Sequence, residues 1–353
     1  MTRIERLAAL LEEPLLVAGP PYVLGGQANV RYLTGLQSSN AAVLVEPDGT
    51  ATLYADFRYA VRGREVEGVT FVETARSLMP VIGELLAGRR IGFEDAQLPF
   101  ASYRALVDAG VDAVSTSGLV ESLRAVKDGP EIEIMRRAGA LSDEIFGALA
   151  QERFSGRTEI ELGWWVERSF RDAGAEGVSF PTIVAAGETG TSPHAVPGVD
   201  PIAEGVLVTV DAGCLLDGYC SDCTRTFAVG EISERLSEIY ALCLDAQLDG
   251  LDAVAPGVRG EDADAAARAV INAAGLGEAF GHGLGHGVGI QIHEAPTLRP
   301  ESKDVLEPGN VVSVEPGIYL PGEGGVRIED LVLVTEDGRE RLTQFSKELI
   351  TVS

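Results

Sequence analysis

The sequence predicts an α+β protein in which a smaller α/β domain, residues 1–125, precedes a larger domain, residues 126–353, built from duplicated helix-helix-hairpin units. Three observations predict this class. The length of 353 residues suits two domains. The first third of the chain alternates apolar runs with helical patterns, as α/β domains do. The second part repeats one arrangement of glycines and acids, which indicates an internal duplication.

The elements of the first domain are short and follow one another closely. Residues 1–13 have the pattern of an amphipathic helix. Ala41–Val45 and Ala51–Ala55 are predicted strands, and Pro47-Asp-Gly between them supplies the turn of a hairpin. Further helices are predicted over 77–86 and 99–109, with a short strand that starts at Arg90.

The second domain opens with a pair of helices. Pro130 in a first helical turn marks the first start, and apolar residues keep a 3.6-residue period from there on. The next helix opens at Thr158, where Glu161 three residues later completes a capping box. A second helix pair is predicted over 233–254 and 260–274, and strands rich in Val, Ile and Thr follow each pair.

The internal repeat aligns Gly205–Gly213 with Gly309–Gly317. In both stretches a glycine stands six residues before an acid, and each repeat continues through a glycine-rich turn to a second acid. The acids are Asp211 and Asp222 in the first repeat, and Glu315 and Glu329 in the second. Because the two halves are predicted to be related by a pseudo-twofold axis, a hairpin from each half brings the four carboxylates together.

Charge and hydropathy exclude two classes of partner. The 54 acidic residues outnumber the 28 basic ones, and the net charge of −26 repels phosphate backbones, so we expect no nucleic acid partner. No run approaches the roughly 20 apolar residues of a membrane helix, and the first helix lacks the apolar core of a signal peptide. We therefore expect a cytoplasmic protein without a membrane partner. Only three basic residues are lysines, which we attribute to a GC-rich coding bias.

The four cysteines do not predict a disulfide scaffold in a chain of this size. Cys220 and Cys223 form a C-x-x-C pair, but the second pair of a zinc site is missing. The surrounding residues alternate like a strand, which points the two thiols to opposite faces. We therefore expect free thiols in a reducing compartment.

Four carboxylates gathered at one place cannot all stay ionised without compensation, so either their pKa values rise or divalent cations neutralise them. The histidines favour the cations. Three of the four in the chain, His282, His286 and His293, are threaded through one glycine-rich stretch, and His194 lies in a loop. Imidazoles with carboxylates suit Mn, Fe, Co or Zn, and two metals that share bridging carboxylates form a hydrolytic site.

Other catalytic motifs are absent from the sequence. His293-Glu294 is not continued to H-E-x-x-H, no G-x-S-x-G occurs, and no Walker A sequence is present. The glycines around 281–289 never satisfy G-x-G-x-x-G.

Six stretches of the sequence together carry a resemblance to a known protein family. They are Val-Asp211-Ala-Gly, Tyr219-Cys-Ser-Asp222-Cys-Thr-Arg-Thr, Gly285-His286-Gly-Val-Gly, Ile292-His293-Glu294-Ala-Pro, Val-Glu315-Pro-Gly-Ile-Tyr and Gly-Val-Arg327-Ile-Glu329-Asp. With them the chain resembles the M24B-type metallopeptidases of the pita-bread fold, which include prolidase and aminopeptidase P. Arg31-Tyr-Leu-Thr-Gly-Leu-Gln-Ser-Ser-Asn40 and Ala55-Asp-Phe-Arg-Tyr are similar to the creatinase-type N-terminal domain of the Xaa-Pro branch. Methionine aminopeptidases lack this domain, so the resemblance favours that branch.

The resemblance implies a role for each matched residue. Two divalent metal ions per subunit are implied, with Mn²⁺ favoured and Co²⁺ or Zn²⁺ as alternatives. Asp211 would bind one ion, Asp222 and Glu329 would bridge both, and His286 and Glu315 would complete the second. Glu315 would also take a proton from the attacking water.

The remaining histidines would line the substrate side. His293 would contact the scissile amide, and one of His194, His282 and His293 would stabilise the tetrahedral intermediate or pass a proton to the leaving nitrogen. Arg327 stands two residues before Glu329, so it would partner a metal ligand or a substrate carboxylate; a buried charge-balancing role is the alternative. Phe180 would wall a proline pocket, and a core aromatic is the alternative.

The family implies cleavage of an N-terminal Xaa-Pro bond, peptides with proline at position 2 as partners, and a homodimer. Several prolidases carry an Arg just after the His-Glu-x-Pro stretch, whereas Thr297 follows Pro296 here, and Arg299 and Lys303 come later. We therefore expect an aminopeptidase P-like enzyme, with an Xaa-Pro dipeptidase as the alternative. A catalytically inactive peptide-binding relative and a creatinase-type amidinohydrolase are less favoured, because all five metal ligands are present.

Overall fold

The computed structural model describes residues 1–20 and 27–353. The chain divides into two compact units, Met1–Arg124 and Ala125–Ser353. Among the helices described, none is long and apolar enough to cross a membrane.

The N-terminal unit is built on one mixed sheet of six strands in the order β4-β3-β2-β1-β5-β6. The strands are β1 (Leu15–Val17), β2 (Ala41–Val45), β3 (Ala51–Asp56), β4 (Thr70–Thr74), β5 (Arg90–Glu94) and β6 (Asp112–Thr116). The helices are α1 (Arg3–Ala8), α2 (Ala28–Thr34), α3 (Ala60–Arg64), α4 (Leu78–Leu85), α5 (Phe100–Asp108) and α6 (Leu119–Ala125). The antiparallel pairing of β2 with β3 confirms the predicted hairpin.

The first helix is shorter than the sequence predicts. It begins after the N-cap Thr2 and ends at Ala8 rather than near residue 13. Pro14 disfavours helical backbone at the residue before it, and β1 begins directly afterwards, so the chain must extend early.

A buried carboxyl group lies inside the N-terminal unit. Glu94 at the end of β5 is 4% exposed, and its Oε1 accepts a hydrogen bond from Asn29 Nδ2 at 2.6 Å. The same amide donates to Glu121 Oε1 at 2.8 Å. Burial, and then the charge of Glu121, raises the pKa of Glu94 to about 8. The carboxyl is therefore protonated in the folded chain at neutral pH.

Glu94→Gln is expected to make the free energy of unfolding fall less steeply as pH rises. The folded pKa of about 8 lies above the reference value of 4.5, so the folded chain binds the extra proton between these pH values. Stability then falls as pH rises through this window, by at most about 1.4 kcal/mol per pH unit. Melting temperatures of both proteins from pH 5 to 9 measure the effect. Exposed Glu67→Gln is the control and leaves the slope unchanged; an equal slope for Glu94→Gln would contradict the burial argument.

Four long helices frame the second unit, and they confirm the predicted pairs. They are α7 (Gly129–Leu149), α8 (Glu159–Asp172), α9 (Glu234–Ala253) and α10 (Gly260–Ala273). Asp128 and Glu131 form a capping box at α7, and Thr158 and Glu161 form the predicted one at α8. Two short 3-10 helices complete the helical structure of the described residues, Gly187–Thr191 and Gly277–Ala279.

The strands of this unit form two larger and two smaller sheets. The strands of the first half are β7 (Gly177–Val178), β8 (Ile183–Ala186), β9 (Val206–Ala212), β10 (Cys214–Leu216), β11 (Tyr219–Cys220) and β12 (Cys223–Val229). Those of the second half are β13 (Gly285–Gly287), β14 (Glu294–Leu298), β15 (Val311–Val314), β16 (Gly317–Leu320), β17 (Gly324–Arg327), β18 (Asp330–Thr335), β19 (Gly338–Arg341) and β20 (Thr351–Val352). The larger sheets have the orders β20-β12-β9-β8 and β14-β13-β15-β18-β19, and the smaller ones β11-β10-β7 and β16-β17.

The duplication in the sequence corresponds to two hairpins that each cross from a larger sheet into a smaller one. In the first, β9 pairs with β12 and β10 pairs with β11. In the second, β15 pairs with β18 and β16 pairs with β17. Each half also has its own apolar core, around Phe170 and Phe227 in the first and around Ile239 and Val332 in the second. The acids of the repeat stand where the paired strands pass from one sheet to the other.

Candidate metal centre

The four acids of the repeat occupy equivalent places in the two hairpins. Asp211 is near the end of β9, and Asp222 lies between β11 and β12. Glu315 lies between β15 and β16, and Glu329 between β17 and β18. The two hairpins are joined there, since the Glu329 amide donates to the Thr224 carbonyl at 3.1 Å.

Three of these carboxylates form a buried cluster. Asp211, Asp222 and Glu329 each offer an oxygen, and these oxygens all lie within 4.8 Å of one another. Burial comes first, and mutual repulsion adds to it, in raising the pKa of Asp222 and of Glu329. The pKa of Asp211 is also raised by burial, although the Arg327 charge opposes the rise.

His286 and Glu315 adjoin the cluster as an ion pair. His286 Nε2 lies 3.2 Å from Glu315 Oε1 and 3.8 Å from Asp222 Oδ2. Burial opposes charge on His286, but the hydrogen bond that its imidazole donates to Glu315 outweighs burial and raises the pKa of the imidazole to about 9. Burial likewise acts against the Glu315 carboxylate, and the His286 hydrogen bond overcomes it and lowers the pKa of Glu315 to about 2. The five predicted ligands therefore lie together around one buried locus.

A chain of hydrogen bonds starts from Asp211 and ends at His282. Arg327 Nη2 donates to Asp211 Oδ2 at 2.7 Å, and its Nη1 donates to the Tyr319 hydroxyl at 2.9 Å. His282 Nδ1 faces the Gly283 carbonyl at 2.8 Å, so Nδ1 is the donor and Nε2 accepts from Tyr319 at 3.0 Å. Both ring nitrogens of His282 are thus engaged within the protein. Arg327 combines the two roles predicted for it, because it is buried and it orients a candidate metal ligand.

The other predicted substrate residues differ in their positions. The exposed His293 ring stands edge-on to His286, with 4.4 Å between the ring centroids. His194 is exposed, and the preceding Pro193 carbonyl accepts from Arg327 Nη1 at 3.3 Å, which places the loop beside the site. Phe180 is half-buried and follows Ser179, whose hydroxyl donates to the Ser221 carbonyl at 2.8 Å, next to Asp222. Its pocket role stays a prediction.

Two residues that support the centre, Arg225 and Tyr319, were not predicted from the sequence. Arg225 is 2% exposed; it donates to Asp330 Oδ1 at 2.8 Å and to the Glu329 carbonyl. Asp330 also accepts from Lys347 Nζ at 2.7 Å. The sequence signal was a single charge, Arg225, inside an otherwise uncharged apolar strand. Such a charge needs buried partners, and an acid directly after a candidate ligand is an obvious one.

All four cysteines are free and buried, which agrees with the free-thiol interpretation. Burial raises the pKa of the Cys214 thiol to about 11 and also raises that of Cys220. Thiols in this state are poor metal ligands.

The residues present fit bound divalent cations. Asp211 Oδ1 and Glu329 Oε1 are buried, and within the described part of the chain neither has a hydrogen-bond partner. Buried carboxylate oxygens without donors are costly, and a cation bound between them removes that cost. The donors are carboxylates and an imidazole, a set that suits Mn, Fe, Co or Zn.

The fold and this carboxylate centre define a metallohydrolase class, and comparison with known proteins gives the family. Residues 133–336 match the Metallopeptidase family M24, and residues 3–126 match the Creatinase/Prolidase N-terminal domain. The chain therefore belongs to metallopeptidase family M24, with the pita-bread catalytic fold, and it is a hydrolase.

Three relatives illustrate the similarity. An Xaa-Pro dipeptidase of Pyrococcus horikoshii is 34% identical over 91% of this chain and 92% of its own. The structure of an Xaa-Pro dipeptidase from Bacillus anthracis is 39% identical, with a TM-score of 0.94 and 99% of both chains covered. The structure of an X-Pro aminopeptidase from Thermotoga maritima is 31% identical, with a TM-score of 0.89, and covers 98% of this chain and 100% of its own.

Proposed function

We propose that this chain is a dinuclear metal-dependent Xaa-Pro dipeptidase. The observation that carries the proposal is the buried cluster of Asp211, Asp222 and Glu329 beside the His286–Glu315 pair. The relatives named Xaa-Pro dipeptidase, at 34% and 39% identity over nearly the whole chain, support the substrate class. The comparisons thus favour the alternative over the expected aminopeptidase P, although an X-Pro aminopeptidase is also a structural neighbour.

The proposed metal site uses the five residues already described. Asp211, Asp222, His286, Glu315 and Glu329 would hold the two ions, and Mn²⁺ is our first choice. When bound, such ions lower the pKa of water and polarise a carbonyl oxygen. The chain supplies a closed, largely buried carboxylate environment in which those effects are strong.

The side chains around this centre have separate roles in the proposed reaction. Glu315 accepts the proton of the attacking water, because its carboxylate is ionised and lies at the edge of the cluster. Ser313 Oγ donates to Glu315 Oε1 at 2.9 Å and fixes the carboxylate. His293 is exposed on the substrate side and donates to the developing oxyanion or the leaving nitrogen. Arg327 orients Asp211 and holds the loop of His194.

A dipeptidase must also receive the free carboxylate of proline, which requires a cation at the pocket edge. The exposed Arg299 is our candidate for this cation. A β-carbon built on Gly283, next to His282, would lie 2.6 Å from Arg299 Cβ. The Arg299 side chain therefore begins beside the glycine-rich stretch that carries His282 and His286.

The metal-loaded enzyme is expected to hydrolyse Ala-Pro faster than Ala-Pro-Ala, and to leave Ala-Ala essentially uncleaved. Turnover of the three peptides is compared after reconstitution with Mn²⁺, Co²⁺ or Zn²⁺, and metal content is measured for each sample. EDTA treatment should remove activity, and added metal should restore it. Faster cleavage of Ala-Pro-Ala would return the assignment to aminopeptidase P, and full activity in a sample without metal would overturn the dinuclear mechanism.

A further inference from the structure

Of the three lysines in the chain one is buried and a second is largely covered, although 25 of the 28 basic residues are arginine. Lys303 is exposed, whereas the Lys127 side chain is 1% exposed and that of Lys347 is 10% exposed. Lys127 Nζ lies 3.3 Å from Glu294 Oε2, and the Glu294 side chain is only 5% exposed. A compact ammonium fits this confined place, and a planar guanidinium is larger and differently shaped. A lysine at this buried position therefore points to a specific requirement.

The Glu294 carboxylate is the centre of a tight loop over residues 289–294. Its Oε1 accepts from the Gln291 amide at 2.9 Å. It also packs against the backbone of Gly289, where a built β-carbon would come within 2.5 Å of Glu294 Oε2, so a side chain at 289 would displace the carboxylate. The Gly289 carbonyl in turn accepts from the Cys220 amide at 2.8 Å, two residues before Asp222.

His293 precedes Glu294 at the point where the loop meets β14. The contacts of the two side chains differ. Glu294 turns inward to Lys127, while the exposed His293 ring stands against His286. The position of the imidazole therefore depends on how firmly the neighbouring carboxylate is held.

Lys127 is itself well anchored. Its amide donates to the Gly309 carbonyl at 2.8 Å, and its Nζ lies 3.4 Å from the Ala125 carbonyl. A buried ion pair is not a general source of stability, because well-packed apolar residues often do as well. Conformational specificity is the better explanation for this pair, and the loop it fixes carries a site residue.

We propose that Lys127 is a positioning residue: through Glu294 it fixes the loop 289–294 and so holds His293 against the metal centre. The proposal rests on the proposed peptidase function. It assigns no contact between Lys127 and the substrate. The consequence is a geometric one, since a misplacement of about 1 Å in a catalytic group can lower turnover by about 100-fold.

The test compares Lys127→Met, Glu294→Gln and the double variant with the exposed-lysine control Lys303→Met, all in the full-length, metal-loaded protein. We expect each single variant to lower kcat for Ala-Pro by about tenfold or more, with KM changed by less than about threefold. The double variant should lose no more than the worse single one, because both changes break the same contact. Lys303→Met should match wild type.

A second readout does not depend on activity. The chain has only four histidines, so a Zn²⁺-loaded sample labelled at histidine Cε1 gives four ring signals by NMR. We expect Lys127→Met to shift or broaden the His293 signal, identified with His293→Asn, and Lys303→Met to leave it unchanged. An unchanged signal together with unchanged kcat overturns the positioning role, even if the melting temperature falls. If Lys127→Met does not fold, Glu294→Gln and the double variant decide between the same outcomes. A wild-type enzyme without Xaa-Pro activity would instead refute the proposed function.

Discussion

Glu315→Gln is expected to lower kcat for Ala-Pro by about 10³-fold. The amide keeps the shape of the carboxylate but cannot accept a proton at neutral pH. Glu315 is ionised because the His286 imidazole, 3.2 Å away, overcomes the effect of burial and lowers the pKa of the carboxyl to about 2. A carboxyl group with this pKa is ionised throughout the neutral range. It is a weak base, so proton transfer to it depends on cations that make the attacking water more acidic. The substitution also removes one candidate metal ligand, so two effects must be separated.

Measurement of kcat at increasing metal concentration separates them. If Glu315 acts only as a ligand, excess metal restores both stoichiometry and turnover. If it also accepts the proton, two ions bind per chain and turnover stays low, which is the result we expect. Glu336→Gln makes the same chemical change at an exposed position of this unit and should retain wild-type kinetics. Retention of more than about a tenth of the activity by Glu315→Gln would exclude the proton-accepting role.

The sequence predicted that the four acids of the repeat lie near one another, because their positions follow from local rules. The repeat placed one acid in each arm of two hairpins, and hairpin pairing brings such positions together. The observed pairing of Asp211 with Thr224 and of Val314 with Asp330 has this register. The helices were predicted with similar success, since α7 and α8 carry capping residues that mark their starts.

The supporting side chains could not be predicted in the same way, because their partners are distant in sequence. Arg225 bonds residues about 105 positions later, and Lys127 meets Glu294 across 167 positions. No periodicity records such contacts. A buried charge can be suspected from an apolar neighbourhood, but only the fold shows which acid it meets.

The expectation of an aminopeptidase P-like enzyme also depended on a contact that the sequence alone does not show. It rested on the absence of an arginine directly after Pro296. Thr297 and Leu298 continue strand β14, and its antiparallel pairing with β13 brings Arg299 beside Gly283. Substrate length depends on where a cation stands in space, and its distance along the chain from a motif is a weak guide to that position.

Glu329→Gln is expected to abolish activity and, at the same time, to stabilise the protein in EDTA. Glu329 is 1% exposed, and its Oε2 accepts from Thr224 Oγ1 at 2.8 Å while its Oε1 has no hydrogen-bond partner among the described residues. Burial and the neighbouring carboxylates, Asp222 first among them, raise the pKa of Glu329. In the absence of cations the ionised form is therefore unfavourable. A neutral amide of the same shape removes this repulsion and can donate to a neighbouring carboxylate.

The expected gain in EDTA at neutral pH is about 2 kcal/mol, which corresponds to roughly 4–8 °C in melting temperature for a domain of this size. With Mn²⁺ the order should reverse. Metal at 100 times its dissociation constant stabilises the wild-type protein by about 2.7 kcal/mol, and the variant, which lacks a proposed bridging ligand, should gain much less. Melting curves of both proteins in EDTA and in Mn²⁺, with Glu336→Gln as the matched control, test whether the order of the melting temperatures reverses.

This reversal of the melting temperatures between EDTA and Mn²⁺ distinguishes a metal centre from a structural cluster of carboxyl groups. If protonation or internal hydrogen bonds alone satisfied these residues, Glu329→Gln would destabilise the protein in both conditions, because it would disturb a hydrogen-bond network whose groups already have partners. A variant that melts below wild type in EDTA, or that gains as much from Mn²⁺, would therefore contradict the assignment. A reversal of the two curves would mean that these acids are held at a cost in stability that cation binding offsets. That is the expected thermodynamic behaviour of a site arranged for binding and catalysis.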